Sequence, residues 1–148
     1  VPQLSNSAKV IRHSNAVAAG TSTITPSGSI DLANAEGVMF LVAFGTITGS
    51  AVTSIKLQQS DDNGVADGFS DIVGTSLTVP DTASNKIFVV DHYKPTKRYV
   101  KVIVSRATQN AVLDGITAVV YGTRNQPITA DSTVGGSEQH SGAIEGTA

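Results

Sequence analysis

Two stretches of this chain alternate their side chains with a period of two, and that alternation limits the fold more than any other feature. In residues 54–60, Ile55, Leu57 and Gln59 fall on one face and Lys56, Gln58 and Ser60 on the other. In residues 97–104, Lys97, Tyr99 and Lys101 fall on one face and Arg98 and Val100 on the other. Each pattern predicts a strand with one side buried. Asp61-Asp62-Asn63-Gly64 breaks the first strand with residues that accept left-handed and Asx turns at little cost. Residues 68–73 are expected to return as the second arm of a hairpin with a long polar tip.

The remaining signals are of the same kind. Residues 37–45 are nearly continuously apolar, with a glycine at each end, which predicts a strand buried on both faces. Residues 9–13, 22–26, 29–32, 76–79, 86–91 and 115–122 read as further strands separated by Gly, Asp, Asn and Pro. Residues 14–20 look too diluted by small side chains to form one, and residues 107–114 have weak character. No useful length repeats at helical spacing. The expected fold is all-β, a single β-sandwich or barrel-like domain with extended N- and C-terminal arms. At 148 residues one domain is the prior. Its predicted limits are an N-terminal arm over residues 1–8, a β domain over 9–127 and a C-terminal arm over 128–148.

The hairpin and its downstream partner carry a resemblance. Leu57 followed by Ser60-Asp61-Asp62-Asn63, then Phe69 and Ile72, then Lys97-Arg98-Tyr99-Val100-Lys101-Val102, resembles a family of small head proteins of tailed bacteriophages. That family is similar to capsid decoration, or cement, proteins, and the likeness spans residues 30–127. It implies a structural virion protein that binds across major capsid protein subunits on the outer capsid surface. It implies a homo-oligomer, dimer or trimer, on that surface, and manufacture in the host cytoplasm. Two other functions compete with it. A head–tail connector or tail component would use the same β domain and arms. A monomeric carbohydrate-binding β-sandwich would want exposed aromatics, and the chain has no Trp.

Composition narrows the classes further. There is no cysteine, so neither a disulfide framework nor thiolate chemistry is available. The formal net charge of −2 and the sparse aromatics argue against direct nucleic-acid binding. The apolar run over residues 38–44 is too short to span a bilayer, so no membrane partner is expected. The first six residues lack the charged start and apolar run of a secretory signal. No nucleophile elbow, P-loop or dinucleotide fingerprint is present, and His13, His92 and His140 lie far apart. The chain is expected to be no enzyme and to need no cofactor.

Two side-chain clusters and two arms remain as candidate sites. Asp61, Asp62, Asn63 and Asp67, with Asp71 beyond them, could offer oxygen ligands to Ca²⁺, but they lack the EF-hand spacing. Carboxylates that satisfy turn amides are the preferred reading. His92, Lys94, Lys97, Arg98 and Lys101 concentrate positive charge, and a solvated edge is preferred there over a binding patch. Residues 128–148 are small, polar and aperiodic, a composition that orders only on a partner. Docking on neighbouring chains is therefore expected through Val1, Pro2, Gln3, Leu4, Ile128, Val134 and Ile144.

Overall fold

The computed structural model describes residues 3–142 and 144–147. After a single helical turn, α1 (Leu4–Ser7), ten strands follow. They are β1 (Lys9–Ser14), β2 (Val17–Gly20), β3 (Ile30–Asp31), β4 (Gly37–Ile47), β5 (Val52–Ser60), β6 (Ser70–Asp71), β7 (Leu77–Val79), β8 (Ile87–Tyr93), β9 (Tyr99–Ala107) and β10 (Ala111–Tyr121). One sheet runs β1–β10–β4–β8, with β2 continuing along β10 beyond β1. The other runs β3–β9–β5–β6, with β7 also on β5. All the pairings are antiparallel. The sheets face each other as a β-sandwich and do not close into a barrel.

Alternation explains which side chains meet between the sheets. Val38, Phe40, Val42 and Phe44 of β4 point inward, as do Ile116, Ala118 and Val120 of β10. They meet Ile55 and Leu57 of β5 and Val100, Val102 and Val104 of β9. Phe88 and Val90 of β8 seal one margin, with the Phe88 ring set edge-on to Phe44 at 5.7 Å. Burying a side chain of this size stabilises by roughly 1.5–3 kcal/mol, so this layer dominates the fold.

Two polar side chains fasten the sheets together. His13 of β1 stacks on Phe40, and its Nε2 accepts the Val102 amide of β9 at 3.1 Å. That amide lies between Val100, which pairs with β3, and Val104, which bridges to Ile24, so no strand serves it. Burial first, and Lys101 second, lower the His13 pKa from 6.5 to about 4, which keeps the ring neutral and able to accept. Arg106 of β9 is 5% exposed and has no carboxylate partner among the described residues. Its guanidinium donates to the carbonyls of Ser22, Ala18 and Ala111, which ties β9 to β2 and β10.

The strands differ from the sequence reading in four places. Residues 17–20 do form a strand, because pairing with β10 overrides their weak composition. In residues 22–26 only Ile24 makes a bridge. Of residues 68–73 only Ser70 and Asp71 form ladder pairs with β5, and the Ile72 amide still donates to the Leu57 carbonyl. The fourth difference concerns β4. Met39, Leu41 and Ala43, expected to be buried like their neighbours, are only half-buried, because no layer of this chain covers the outer side of the first sheet completely.

Candidate interaction surface

The outer side of the β1–β10–β4–β8 sheet carries apolar side chains on all four strands, with Arg12, Thr117 and Asp91 set at its margins and between them. Register places Val10, Val119, Met39 and Asp91 in one row and Arg12, Thr117, Leu41 and Val89 in the next. Ala43 and Ile87 follow in a third. Ile87 is 63% exposed and Val89 52%. Leu4 of α1, 74% exposed, borders a groove floored by Val10, Met39, Leu41 and Val119. An isolated exposed apolar residue is ordinary, but a contiguous set rimmed by polar groups marks a binding surface.

At one end the surface stops abruptly. Tyr121 lies across Gly37, where an added Cβ would fall 2.5 Å from its hydroxyl oxygen, so only glycine permits the contact. The Tyr121 hydroxyl donates to Asp91 Oδ1 at 2.5 Å. Burial, followed by that carboxylate, raises its pKa to about 12. The phenol is therefore a fixed donor at neutral pH, and it forms a polar stop below the apolar rows.

The opposite rim is built by the chain ends. The Ile128 amide donates to the Asn6 carbonyl at 3.2 Å, and the Arg12 amide of β1 donates to Thr133 Oγ1 at 2.9 Å. Gln139 Nε2 donates to Asn6 Oδ1, and Gln3 Nε2 to the His140 carbonyl, each at 2.7 Å. Lys9 stands 3.9 Å from Asp131, whose pKa is lowered, mainly by the Thr133 hydroxyl. Between Ile128 and His140 the polar tail is thus tied to its own domain by hydrogen bonds. Composition could not show this, because the anchors are hydrogen bonds to the backbone and amides of residues 3–12.

Of the residues expected at an interface, Leu4 lies on the groove and Val134 beside Val10 and Ile128. Gln3 and Ile128 serve as tail anchors. Ile144 is 94% exposed and apart from this network. Val1 and Pro2 lie outside the described residues. The sequence reading missed Met39, Leu41, Ile87, Val89 and Val119, although the apolar run and the alternation in residues 86–91 contained the signal.

The two charged clusters resolve into local structure. Asp62 accepts the amides of Val65, Ala66 and Asp67, and the Ala66 bond above all lowers its pKa. Asp67 takes Lys97 Nζ at 2.6 Å and the Asp61 amide at 2.8 Å, and its pKa is lowered, mostly by Lys97. Asn63 takes a left-handed turn with φ +60° and accepts the Ser29 hydroxyl. The candidate calcium ligands are thereby engaged with amides and a lysine, and among the described residues no group of three His, Asp or Glu side chains could hold a metal. Of the basic set, Lys97 is paired with Asp67, and Lys101 lies over the Phe69 ring at 4.1 Å. Arg98 grips Asp31 with two bonds of 2.8 Å. Among the described residues no helix is long and apolar enough to cross a membrane. The chain matches no family model and no curated protein in sequence.

Proposed function

We propose that this protein decorates and stabilises the capsid of a tailed bacteriophage, binding across major capsid protein subunits through the outer side of its β1–β10–β4–β8 sheet. The observation that carries the proposal is the contiguous apolar set formed by Val10, Met39, Leu41, Ile87, Val89 and Val119, framed by Leu4 and the tail. The resemblance of residues 30–127 to head proteins supplies the partner. A broad, largely apolar sheet face suits a protein partner better than a small molecule, whose sites are deep and carry a few convergent polar groups. The mechanism is mass action: a protein that binds the assembled shell, and not its separated subunits, shifts the equilibrium toward the shell. No cofactor and no chemical step are involved.

The test is co-sedimentation with shells assembled from the major capsid protein of the same virus, followed by counting copies per particle. Saturation at many copies over the shell, with a raised disassembly temperature, is the expected result. Binding confined to one ring at a single vertex would replace this reading with a head–tail connector. Absence of any binding to shells would overturn both.

A further inference from the structure

An open sandwich has exposed sheet edges, and the edges here are treated unequally. Among the described residues, β3 and β6 have two residues each and β7 has three, too few to template a partner strand. The β1–β2 side is overlaid by the tail at Arg12 and by the Arg106 guanidinium at Ala18. β8 differs from all of them. It runs seven residues, Ile87–Tyr93, and pairs only with β4.

The hydrogen bonds flanking β8 fix which of its groups are free. The Phe44 amide donates to the Lys86 carbonyl, and the Lys94 amide donates to the Glu36 carbonyl. Alternation then turns the even-numbered residues toward β4 and leaves the amides and carbonyls of Ile87, Val89, Asp91 and Tyr93 facing outward. The side chains of those same four residues stand on the apolar outer surface. From Ile87 to Val90 the strand has no charge, no proline and no bulge, the devices that normally keep such an edge single.

We infer that β8 pairs antiparallel with β8 of a second copy of this chain, about a two-fold axis through Val89. The occupant follows from the inventory of edges. β8 is the longest open edge among the described residues, and the next, β1, has its Arg12 amide taken by Thr133. β8 joining β8 is therefore the contact that leaves no edge group blocked, and such an isologous contact closes at two. The register follows from charge and overlap. Centring on Asp91 sets two carboxylates opposite each other, and centring on Val90 sets Lys86 against Lys94 of the second copy. Centring on Phe88 overlaps only Ile87 to Val89 within the strand. Centring on Val89 pairs Ile87 through Asp91 with no like charges opposed. The two apolar surfaces then run on as one continuous sheet face. The inference deepens the oligomer part of the proposed function and rests on that reading only there.

The chain contains no cysteine, so a single introduced thiol reports only its own contact. In a hydrogen-bonded antiparallel pair the Cα atoms are about 5.5 Å apart, within disulfide range. Val89→Cys is expected to become a covalent dimer under mild oxidation, while Thr78→Cys, exposed on the other sheet, forms no covalent link. The unaltered protein should sediment as a dimer, and Val89→Lys as a monomer with an unchanged far-ultraviolet spectrum. Sedimentation of the unaltered chain as a monomer up to its solubility limit would overturn the inference. A dimer that neither variant affects would do the same. Shell binding is read separately: a dimer that ignores shells removes the capsid reading alone, and a monomer that binds them removes only the dimer.

Discussion

The outer sides of the two sheets start from the same alternation and end as opposite surfaces. On the β5–β9 sheet, Lys56 and Gln58 both reach Asp71, at 2.9 and 2.8 Å, Lys101 covers Phe69, and Ile103 opposite Lys56 is only 4% exposed. On the β4–β10 sheet, Met39, Leu41 and Val119 remain only half-buried, and Ile87 and Val89 are more exposed still. Apart from Val52 at its end, one face has its needs met inside the chain. The other keeps apolar area in water at a cost in free energy of about 25 cal/mol per Å², which a partner would recover. Under the proposed function, the satisfied face is the one that points at solvent and the unsatisfied face the one that docks.

Four experiments can break or sharpen that contrast. The largest effect is expected from Leu41→Glu, which places a charge at the centre of the proposed contact. Shell affinity measured by co-sedimentation should fall roughly a thousand-fold. Its melting curve should show a well-folded protein, and unchanged affinity would remove this face from the function.

Next in size is a test of whether the sheets, so different outside, depend on one another inside. His13 is neutral in the fold, with a pKa near 4 against 6.5 unfolded. The unfolded chain therefore binds more protons between those values. The stabilisation is complete above pH 6.5 and is lost as pH falls toward 4, by about 3 kcal/mol. His13→Gln keeps an acceptor for the Val102 amide but cannot titrate, so its urea midpoint should fall much less across that window. The remaining slope comes from groups such as His92, whose pKa burial also lowers. A parallel decline in both proteins would show that His13 does not set the slope.

Ile103→Ser provides the mirror of the Leu41 experiment. It should cost about 2 kcal/mol in chemical denaturation, because Ile103 is buried, while leaving shell binding as it was. Leu41→Ser should do the reverse and change stability by less than about 1 kcal/mol. Equal stability losses for the two would erase the distinction between the faces. The smallest effect belongs to Asp62→Ala, which strips the acceptor from three amides at the hairpin tip. Hydrogen exchange should accelerate at Val65, Ala66 and Asp67 and nowhere in β9. Added calcium should not shift the melting temperature of the unaltered protein, and a clear upward shift would restore the metal reading of Asp61, Asp62, Asn63 and Asp67.

Alternation made the inner layer legible before any coordinates. Ile55, Leu57, Val100, Val102 and the β4 phenylalanines could all be placed, since burial on one face writes a period of two into the sequence. The same signal misled at Met39 and Leu41. A continuous apolar run shows that both faces of a strand want covering, but it does not say whether this chain or another does the covering. The tail was opaque for a different reason. Asn6, Arg12 and Gln3 hold it through one or two polar contacts each, and such contacts have no period. β2 escaped notice because Val17 and its small neighbours owe their conformation to β10 and Arg106, not to their own propensity.

The bond between Gln3 and the His140 carbonyl brings the two ends of the folded chain to one rim, beside Leu4 and the apolar groove. This geometry decides where foreign peptides could be displayed on a particle. Under the proposed function, an epitope grafted onto the tail would begin beside that groove and compete with the shell for space. Insertion between Asn63 and Gly64, at a turn whose backbone is already left-handed, would instead hang the epitope from the hairpin of the opposite sheet. Carriers built on this scaffold should therefore be loaded through the middle of the sequence.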